Sequence, residues 1–251
     1  MVFQEVESIS NAAVKKEGLL QEHRGKYMIR AIMAGVFVAL AMVLNTVSNH
    51  IFFQSNPAAG KVVGALYFSV AVLLIVLVGG ELYTGNNFVM GFASYDHRVK
   101  WKKTVQIWIV SWIGNLIGAI GFALLFVAAG VSGSDAYIRS FMHGKIYIPY
   151  NEMFFRAILC NFMVCLAVLC GMKIKSDVGK IVMIIILISG FTISGFEHSV
   201  ADMGIYTLSA VFTPEIPIGK LLLNLIIVSV GNMVGGTLLL ALPIRKMSLD
   251  K

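Results

Sequence analysis

The chain has 251 residues, of which 58% are hydrophobic and only 13% are charged, whereas ordinary globular proteins carry roughly 25% charged residues. Residues 104–134 and 221–244 contain no charge at all, and apolar runs of this length are typical of membrane helices. The net charge of +7 does not indicate nucleic-acid binding, because the basic residues gather at the ends of the apolar segments. The composition therefore excludes a soluble domain and indicates an integral membrane protein.

Residues 1–27 form a polar segment of mixed charge that comes before the first apolar run. It lacks the apolar core and small-residue cleavage site of a signal peptide. Its apolar side chains, Val6, Ile9, Ala13 and Leu20, fall near one face of a helix, with Lys15 and Lys16 elsewhere. The segment is therefore predicted to be an amphipathic helix outside the membrane. We hypothesise that it lies at the inner mouth of a pore and regulates access.

Six membrane spans are predicted after this segment. They cover residues 28–53, 61–92, 104–130, 151–172, 178–212 and 217–243. The second and fifth spans exceed the roughly 20 residues that one crossing needs, and polar residues lie near their middles, so we expect both to be broken helices. Residues 28–244 are predicted to form one transmembrane domain, and residues 245–251 a cytoplasmic tail.

The distribution of basic residues predicts the orientation of the spans. Fifteen of the 20 lysines and arginines lie in the segments on the N-terminal side of the membrane, and five lie in the opposite segments. Cytoplasmic segments carry the excess of basic residues in membrane proteins. Both termini are therefore expected to be cytoplasmic in a multi-pass protein.

The two halves of the chain resemble each other, at about residues 28–130 and 151–244. The matches are Arg30-Ala31-Ile32 with Arg156-Ala157-Ile158, Gly114-Asn115-Leu116-Ile117-Gly118 with Gly231-Asn232-Met233-Val234-Gly235, and Glu81 with Glu197. Because three spans per half is an odd number, the second half must be inverted in the bilayer. Inverted repeats with paired broken helices place the solute path at the repeat interface. Asn115 and Asn232 are expected to be helix-packing residues, since small residues at this spacing let helices approach closely.

The two predicted breaks, residues 79–87 and 194–202, hold the candidate functional residues. Ionisable groups at membrane depth are costly, so they usually mark function. His198 can donate a hydrogen bond while neutral or carry charge near neutral pH. We expect it to meet the solute, with Thr84 fixing its tautomer; the alternative is a structural histidine. Glu81 and Glu197 are expected to hold the breaks together by accepting backbone N–H bonds.

Other motifs carry less information. Asn56-Pro57-Ala58 is familiar from water channels, but it lies in a predicted loop and has no second copy. Cys160, Cys165 and Cys170 are expected to be reduced packing residues. The sequence shows no nucleotide motif and no paired metal ligands, so neither an enzyme nor a cofactor is expected.

Three segments together resemble the formate/nitrite transporter family, and the similarity covers nearly the whole chain. They are Glu81-Leu82-Tyr83-Thr84-Gly85, Cys160-Asn161-Phe162-Met163-Val164-Cys165-Leu166-Ala167 and Gly195-Phe196-Glu197-His198-Ser199-Val200-Ala201. The Tyr83-Thr84-Gly85-Asn86 version of the first break is most similar to the hydrosulfide-channel branch found in clostridia. The resemblance implies an all-α homopentamer in a bacterial inner membrane. Each protomer is then an aquaporin-like fold with its own pore.

The resemblance also implies roles for single residues. Leu82, Tyr83 and Val72 would form an inner apolar slit, Phe68 and Phe191 an outer slit, and His198 and Thr84 the pore centre between them. Lys145 and Asn161 would be the basic and polar residues near the outer side. Asp202 departs from the family's usual asparagine, which adds a possible negative charge.

These expectations favour a channel for small monovalent weak-acid anions. Lys145 and the basic rim would gather anions, and a hydrogen bond or proton near His198 would offset the cost of desolvation. Hydrosulfide is favoured on the branch resemblance, with formate and nitrite next. Two alternatives stay open, a proton-coupled transporter of the same anions and, more weakly, an aquaporin-like channel for neutral solutes.

Overall fold

The structure is a computed structural model that describes residues 3–130 and 134–248, without the side chains of residues 3–5. In these two ranges the chain forms twelve α-helices and two π-helical segments. The first six helices are α1 Phe3–Glu22, α2 Arg24–Phe52, α3 Pro57–Phe68, α4 Val70–Leu74, α5 Tyr83–Tyr95 and α6 Trp101–Ala128. The other six are α7 Asp135–Ile146, α8 Tyr150–Lys173, α9 Asp177–Ile193, α10 Ser199–Phe212, α11 Ile218–Val234 and α12 Leu242–Lys246. The π-helical segments, Ile75–Gly79 and Gly235–Ala241, follow α4 and α11.

Within residues 3–130 and 134–248, five helical stretches are long and apolar enough to cross a membrane. They are Arg24–Phe52, Pro57–Gly79, Trp101–Ala128, Tyr150–Lys173 and Ile218–Lys246. The helices α9 and α10 have 17 and 14 residues, fewer than the roughly 20 of a typical crossing. Four of the predicted spans thus correspond to one stretch each, while the second and fifth are divided between separate helices.

Regular helical structure is interrupted at both glycine-rich segments. At the first, the π-helical segment ends at Gly79, whose φ is +101°, and α5 begins at Tyr83. At the second, α9 ends at Ile193 and α10 begins at Ser199, with Gly195 at a φ of +71°. Positive φ is accessible to glycine without steric cost. Residues 80–82 and 194–198 therefore form two helix breaks, called here the first break and the second break.

The repeated glycine motif packs in the same way in both halves of the chain. A methyl group added at Gly118 in α6 would overlap the carbonyl oxygen of Ile32 in α2. One added at Gly235 would likewise overlap the carbonyl oxygen of Ile158 in α8. Glycine at these positions lets the two helix backbones touch, as in other membrane helix pairs. The helix carrying each motif is thereby held against the first helix of its own half.

The N-terminal segment is an amphipathic helix, as its pattern predicts. The apolar side chains of α1 expected on one face are all buried: Val6, Ile9, Ala13 and Leu20. Two polar contacts add to this packing. The Ser10 hydroxyl donates to Asp96 over 2.7 Å, and Lys16 forms an ion pair with Glu81 over 2.7 Å. Lys16 thus faces the first break.

The Asn56-Pro57-Ala58 triplet begins α3. The Asn56 side chain accepts a hydrogen bond from the Ala59 N–H over 3.1 Å, and proline takes the first helical position. Both residue types are common at helix starts, which gives this motif a local structural role. The three cysteines are free, as expected.

Candidate functional site

Asn115 fixes the backbone of the first break. Its Oδ1 accepts from the Tyr83 N–H over 2.8 Å. Its Nδ2 donates to the carbonyl oxygens of Ala31 at 2.7 Å and Glu81 at 3.0 Å. The amide is fully buried, so it satisfies backbone groups that would otherwise lack partners at membrane depth.

Asn232 makes the same three bonds at the second break. Its Oδ1 accepts from the Ser199 N–H over 2.9 Å, and its Nδ2 donates to Ala157 O at 2.8 Å and Glu197 O at 2.9 Å. Both asparagines were expected to be helix-packing residues, and the structure shows that they also bond the backbone of the breaks. The signal for the wider role was the repeated Gly-Asn-x-x-Gly motif itself.

The two glutamates make different contacts from those expected. In the described residues, the Glu81 carboxylate accepts from Lys16 and from Asn86 Nδ2, the latter at 3.2 Å. The Glu197 carboxylate accepts from Lys145. The amides described above already bond the backbone of the breaks, so each carboxylate is left to pair with a lysine. Both lysines come from helices outside the apolar stretches, α1 and α7.

His198 lies at the start of α10, where the helix supplies a donor to its ring. The Nδ1 atom accepts from the Ala201 N–H over 3.1 Å, so Nδ1 carries a lone pair and the neutral ring holds its proton on Nε2. The Nε2 atom lies 3.1 Å from Thr84 Oγ1. The predicted neighbours are therefore in contact, but Ala201, and not Thr84 as expected, fixes the tautomer.

Two phenylalanine rings surround this histidine. Phe191 stacks on the His198 ring with centroids 6.0 Å apart, and Phe68 meets it edge-on at 6.4 Å. The two phenylalanine rings are themselves 5.8 Å apart. The imidazole thus has apolar neighbours on this side, and a solute that reaches Nε2 has to lose most of its water.

A cavity of about 690 Å³ leads to this aromatic group, and we call it the vestibule. Phe68, Phe191 and His198 line it together with polar residues, which include Lys61, Lys145, Arg156, Glu197 and Asp202. Three lysine or arginine side chains thus meet the same space as the histidine. The arrangement suits the collection of small anions from water.

The other three residues that were expected to form a constriction are not part of the vestibule lining. Leu82, Tyr83 and Val72 are buried in the same apolar cluster as Phe68 and Phe191. Leu82 directly precedes α5 and is 2% exposed. The Tyr83 hydroxyl donates to Ser229 O over 3.0 Å, which ties the first break to α11.

Asn161 lies between the two breaks instead of in the vestibule lining. Its Nδ2 donates to the Asn232 carbonyl at 2.6 Å, to Asn87 Oδ1 at 3.1 Å and to the Thr84 carbonyl at 3.2 Å. These bonds connect α5, α8 and α11, and the expectation that Asn161 is a polar residue of the pore or vestibule stays a prediction.

Lys145 lines the vestibule as expected, but it is bound into a buried cluster. Its Nζ pairs with Glu197 and, over 3.0 Å, with Asp202, and it lies 5.7 Å from the centre of the Tyr206 ring. Burial lowers the pKa of Lys145, but the neighbouring carboxyl groups of Asp202 and Glu197 together outweigh burial and raise the pKa well above its ordinary value. The lysine is therefore charged and held by two carboxyl groups.

Comparison with known proteins identifies the family of this chain. Residues 4–245 match the family described as "Formate/nitrite transporter". The chain belongs to the formate/nitrite transporter family. A protein called "Uncharacterized transporter YwcJ", from Bacillus subtilis (strain 168), is 31% identical over 246 residues, which is 96% of both chains. Membership makes the chain a multi-pass membrane protein and a channel or transporter, in agreement with the expectation that it is not an enzyme.

Solved structures show the same fold. The structure titled "FNT family ion channel" superposes with a TM-score of 0.91 over 98% of this chain and 99% of that one, at 24% identity. The structure titled "Pentameric formate channel with formate bound" gives a TM-score of 0.76 over 88% of this chain and 96% of that one, at 25% identity. The all-helical membrane fold of this protein is thus that of family channels.

Proposed function

We propose that this protein is a channel for small monovalent weak-acid anions across the bacterial cytoplasmic membrane. The observation that carries the proposal is the part of the vestibule lining where the imidazole of His198 lies beside the rings of Phe68 and Phe191. This geometry offers one hydrogen-bond donor in an apolar passage. An anion that loses its water there has a partner only if it accepts this bond.

His198 acts in this proposal as a neutral donor. Protonation of Nδ1 would break the bond from Ala201, and it would place a positive charge at the N-terminus of α10, where the helix dipole is already positive. The ring therefore keeps its Nε2 proton and donates it as a hydrogen bond, shared between Thr84 and the passing anion. A weak-acid anion gains most here because it accepts a strong hydrogen bond and becomes neutral by taking one proton.

The path is proposed to run from the outer vestibule, past Phe68 and Phe191, to an inner slit made by Leu82, Tyr83 and Val72. The chain would cross the membrane six times in two inverted repeats with both termini in the cytoplasm. The repeated contacts of Asn115 and Asn232 support this arrangement. The helix α1 would then lie at the inner mouth, where Lys16 contacts Glu81.

A homopentamer is proposed as the assembly, because the solved formate channel with this fold is titled pentameric. Exposed apolar side chains support contact with lipid or with neighbouring protomers. On α6 they include Ile109, Ile113, Ile117, Leu124 and Leu125. Native mass spectrometry of the detergent-extracted protein tests the stoichiometry directly.

Formate and nitrite are proposed as substrates because the family is defined by them. Hydrosulfide is proposed as the favoured anion only on the Tyr83-Thr84-Gly85-Asn86 resemblance stated above. A channel whose slits are apolar distinguishes these ions weakly, since none of the slit side chains forms a shaped polar site.

Flux into proteoliposomes tests the proposal. Purified protein is reconstituted, and uptake of formate, nitrite and hydrosulfide is compared with that of perchlorate and sulfate. We expect the three weak-acid anions to enter and sulfate to be excluded. Equal uptake of all five ions, or uptake of none above empty liposomes, contradicts the proposal.

A second candidate function is proton-coupled transport of the same anions. The observation that favours it is the buried group of Lys145, Glu197 and Asp202 at the vestibule, which offers ionisable groups beside the path. An imposed pH gradient separates the two candidates. Accumulation of anion above its equilibrium with the membrane potential indicates coupling, and simple equilibration indicates a channel.

A further inference from the structure

The vestibule cluster contains two carboxyl groups and one lysine. Lys145 contacts both Glu197 and Asp202, and all three side chains are 7% exposed or less. If all three groups were ionised, the cluster would carry one unpaired negative charge inside the protein. Unpaired buried charge is strongly disfavoured, and two carboxylates that share a site resist ionising together. The cluster is therefore short of one positive charge, which a proton can supply.

The internal repeat shows where that proton belongs. At the first break, Asn86 lies five residues after Glu81 and donates from its amide to the Glu81 carboxylate over 3.2 Å. At the second break, the residue five positions after Glu197 is Asp202. An ionised aspartate accepts hydrogen bonds only, whereas a protonated one also donates, as an amide does. A protonated Asp202 is therefore a hydrogen-bond donor at the position where Asn86 is one, and an ionised Asp202 is not.

The surroundings of Asp202 point the same way. Its Oδ1 atom accepts from Lys145 at 3.0 Å, while Oδ2 is buried and has no hydrogen-bond partner in the part of the chain that the structure describes. A buried oxygen without a donor is a costly site for negative charge. Glu197, in contrast, already accepts from Lys145. Oδ2 of Asp202 is thus the oxygen that gains most from protonation.

We propose that Asp202 is protonated at rest and passes this proton to a weak-acid anion in the vestibule. The inference rests on the proposed function. Asp202 and His198 line the same cavity, so an anion that crosses this cavity meets both residues. In the step, the Oδ2–H bond of Asp202 breaks and an O–H or S–H bond forms on the anion, which becomes the neutral acid. The carboxylate left behind then takes a proton from a hydronium ion in the vestibule water.

The titratable and charged groups around Asp202 come from several elements. They are Lys145 from α7, Glu197 and His198 from the second break, Tyr206 from α10, and Cys160 from α8. The α2, α5, α6 and α11 helices also pack on α10. Residues 31–49 and 104–128 contain no titratable side chain, whereas α5 contains Tyr83 and Tyr95 and α11 contains Lys220. In the part of the chain that the structure describes, Lys145 is the cation paired with both carboxyl groups, while Arg156 pairs with Glu152 and Lys220 lies over the Tyr147 ring.

Infrared spectroscopy of the purified protein tests the resting proton without relying on transport. Near neutral pH, the wild-type spectrum should contain the C=O stretching band of a protonated carboxyl group, shifted in D₂O. Asp202→Asn should lose that band. The matched control, Asp177→Asn, changes a side chain that is 82% exposed and should keep it. A wild-type spectrum without the band overturns the proposal, and so does a band that persists in Asp202→Asn. The wild-type spectrum decides the first point even if the variant does not fold.

Formate flux across a range of pH tests the transfer. Wild-type flux should rise as the outer pH falls, because the proton on Asp202 is restored faster. Asp202→Asn should assemble normally, lose most of this acid stimulation and regain it in Asp202→Glu. An unchanged pH profile in Asp202→Asn overturns the transfer step while leaving the channel function intact. If wild-type protein carries none of the anions, the proposed function fails, and the infrared result still decides whether Asp202 holds a proton.

Discussion

The backbones of the first and second breaks are held by the same hydrogen bonds, but the two breaks carry side chains of opposite chemistry. In each break an asparagine from a Gly-Asn-x-x-Gly motif bonds one N–H and two carbonyl groups, at distances that agree within 0.1 Å between Asn115 and Asn232. The residue after the glutamate occupies the N-cap position of the following helix in both breaks. It is Leu82 at the first break and His198 at the second.

This difference teaches that the scaffold and the chemistry of the site are separable. The same fold position carries an apolar side chain in one half and a hydrogen-bond donor in the other. In the proposed path, an anion coming from the vestibule would meet the donor first and the apolar side chain afterwards. The repeated sequence thereby sets the geometry of both breaks. The few side chains that differ between its two copies make one end of the proposed path polar and the other apolar.

The largest expected effect is a loss of stability, and it comes from removing the asparagine that bonds the backbone of each break. Asn115→Ala and Asn232→Ala each leave one buried N–H and two buried carbonyl groups without their partner. Each such group costs about 1–3 kcal/mol, so the total exceeds the effect of most single substitutions. We expect both variants to lose folded, assembled protein to a similar degree, measured by thermal unfolding in detergent.

Asn151→Ala is the control for this pair, because it removes an exposed amide at the start of α8 and should change the unfolding temperature little. A large difference between Asn115→Ala and Asn232→Ala would show that the two breaks are not energetically equivalent, despite their matched bonds.

The next largest effect concerns the donor that only the second break carries. His198→Phe keeps an aromatic ring and removes both ring nitrogens. The passing anion then loses a hydrogen bond of the kind worth about 1.5–3 kcal/mol, which corresponds to a fall in flux of about ten- to a hundredfold. Proteoliposome flux measures this loss, and size-exclusion chromatography checks that the variant assembles.

His198→Asn should retain part of the flux because an amide still donates. His143→Phe is the matched control, since His143 lies in α7 with a side chain that is 51% exposed, and it should leave flux unchanged. Near-normal flux in His198→Phe, with an unshifted pH dependence, would reduce the pore to an apolar sieve with a basic entrance.

A smaller effect is expected at the equivalent position of the first break. Leu82→Val removes one methylene, which costs about 0.8 kcal/mol of burial. If Leu82 narrows the path, the shorter side chain should raise the flux of formate several-fold at nearly unchanged stability. Flux and thermal unfolding are measured on the same preparation.

Leu125→Val, on an exposed part of α6 where the side chain is 63% exposed, is the control and should raise no flux. Lower stability of Leu82→Val without any gain in flux would mean that Leu82 packs against its neighbours and does not line the path.

Hydropathy and spacing were sufficient to predict the main helices. They also predicted that His198 and Thr84 are neighbours. Apolar runs report burial in lipid directly, and the matched motifs placed His198 and Thr84 in opposing breaks, where their atoms lie 3.1 Å apart. These features depend on local sequence and on the repeat, both of which a single chain displays.

Contacts set by the exact rotation of distant helices were not predictable. The pair of Lys145 with Glu197 joins residues 52 positions apart, and Asn161 reaches Thr84 across 77 positions. Either bond would be lost by a helix rotation of one residue, and no sequence pattern specifies that rotation. The sequence likewise did not indicate that Ala201, and not Thr84, sets the tautomer of His198.

The smallest expected effect comes from a substitution that tests which group sets the tautomer of His198, the Ala201 N–H or the Thr84 hydroxyl. Thr84→Val preserves the shape of a fully buried side chain and removes the hydroxyl that lies 3.1 Å from Nε2. Because the Ala201 N–H still bonds Nδ1, the tautomer and the donor should survive. The lost bond is a neutral one worth about 0.5–1.5 kcal/mol, so flux should fall about two- to tenfold, less than in His198→Phe. Thr192→Val, at a threonine that also lines the vestibule, should change flux less than Thr84→Val. A loss in Thr84→Val as complete as that in His198→Phe would instead make the Thr84 hydroxyl the group that orients the imidazole, and the bond from α10 would be secondary.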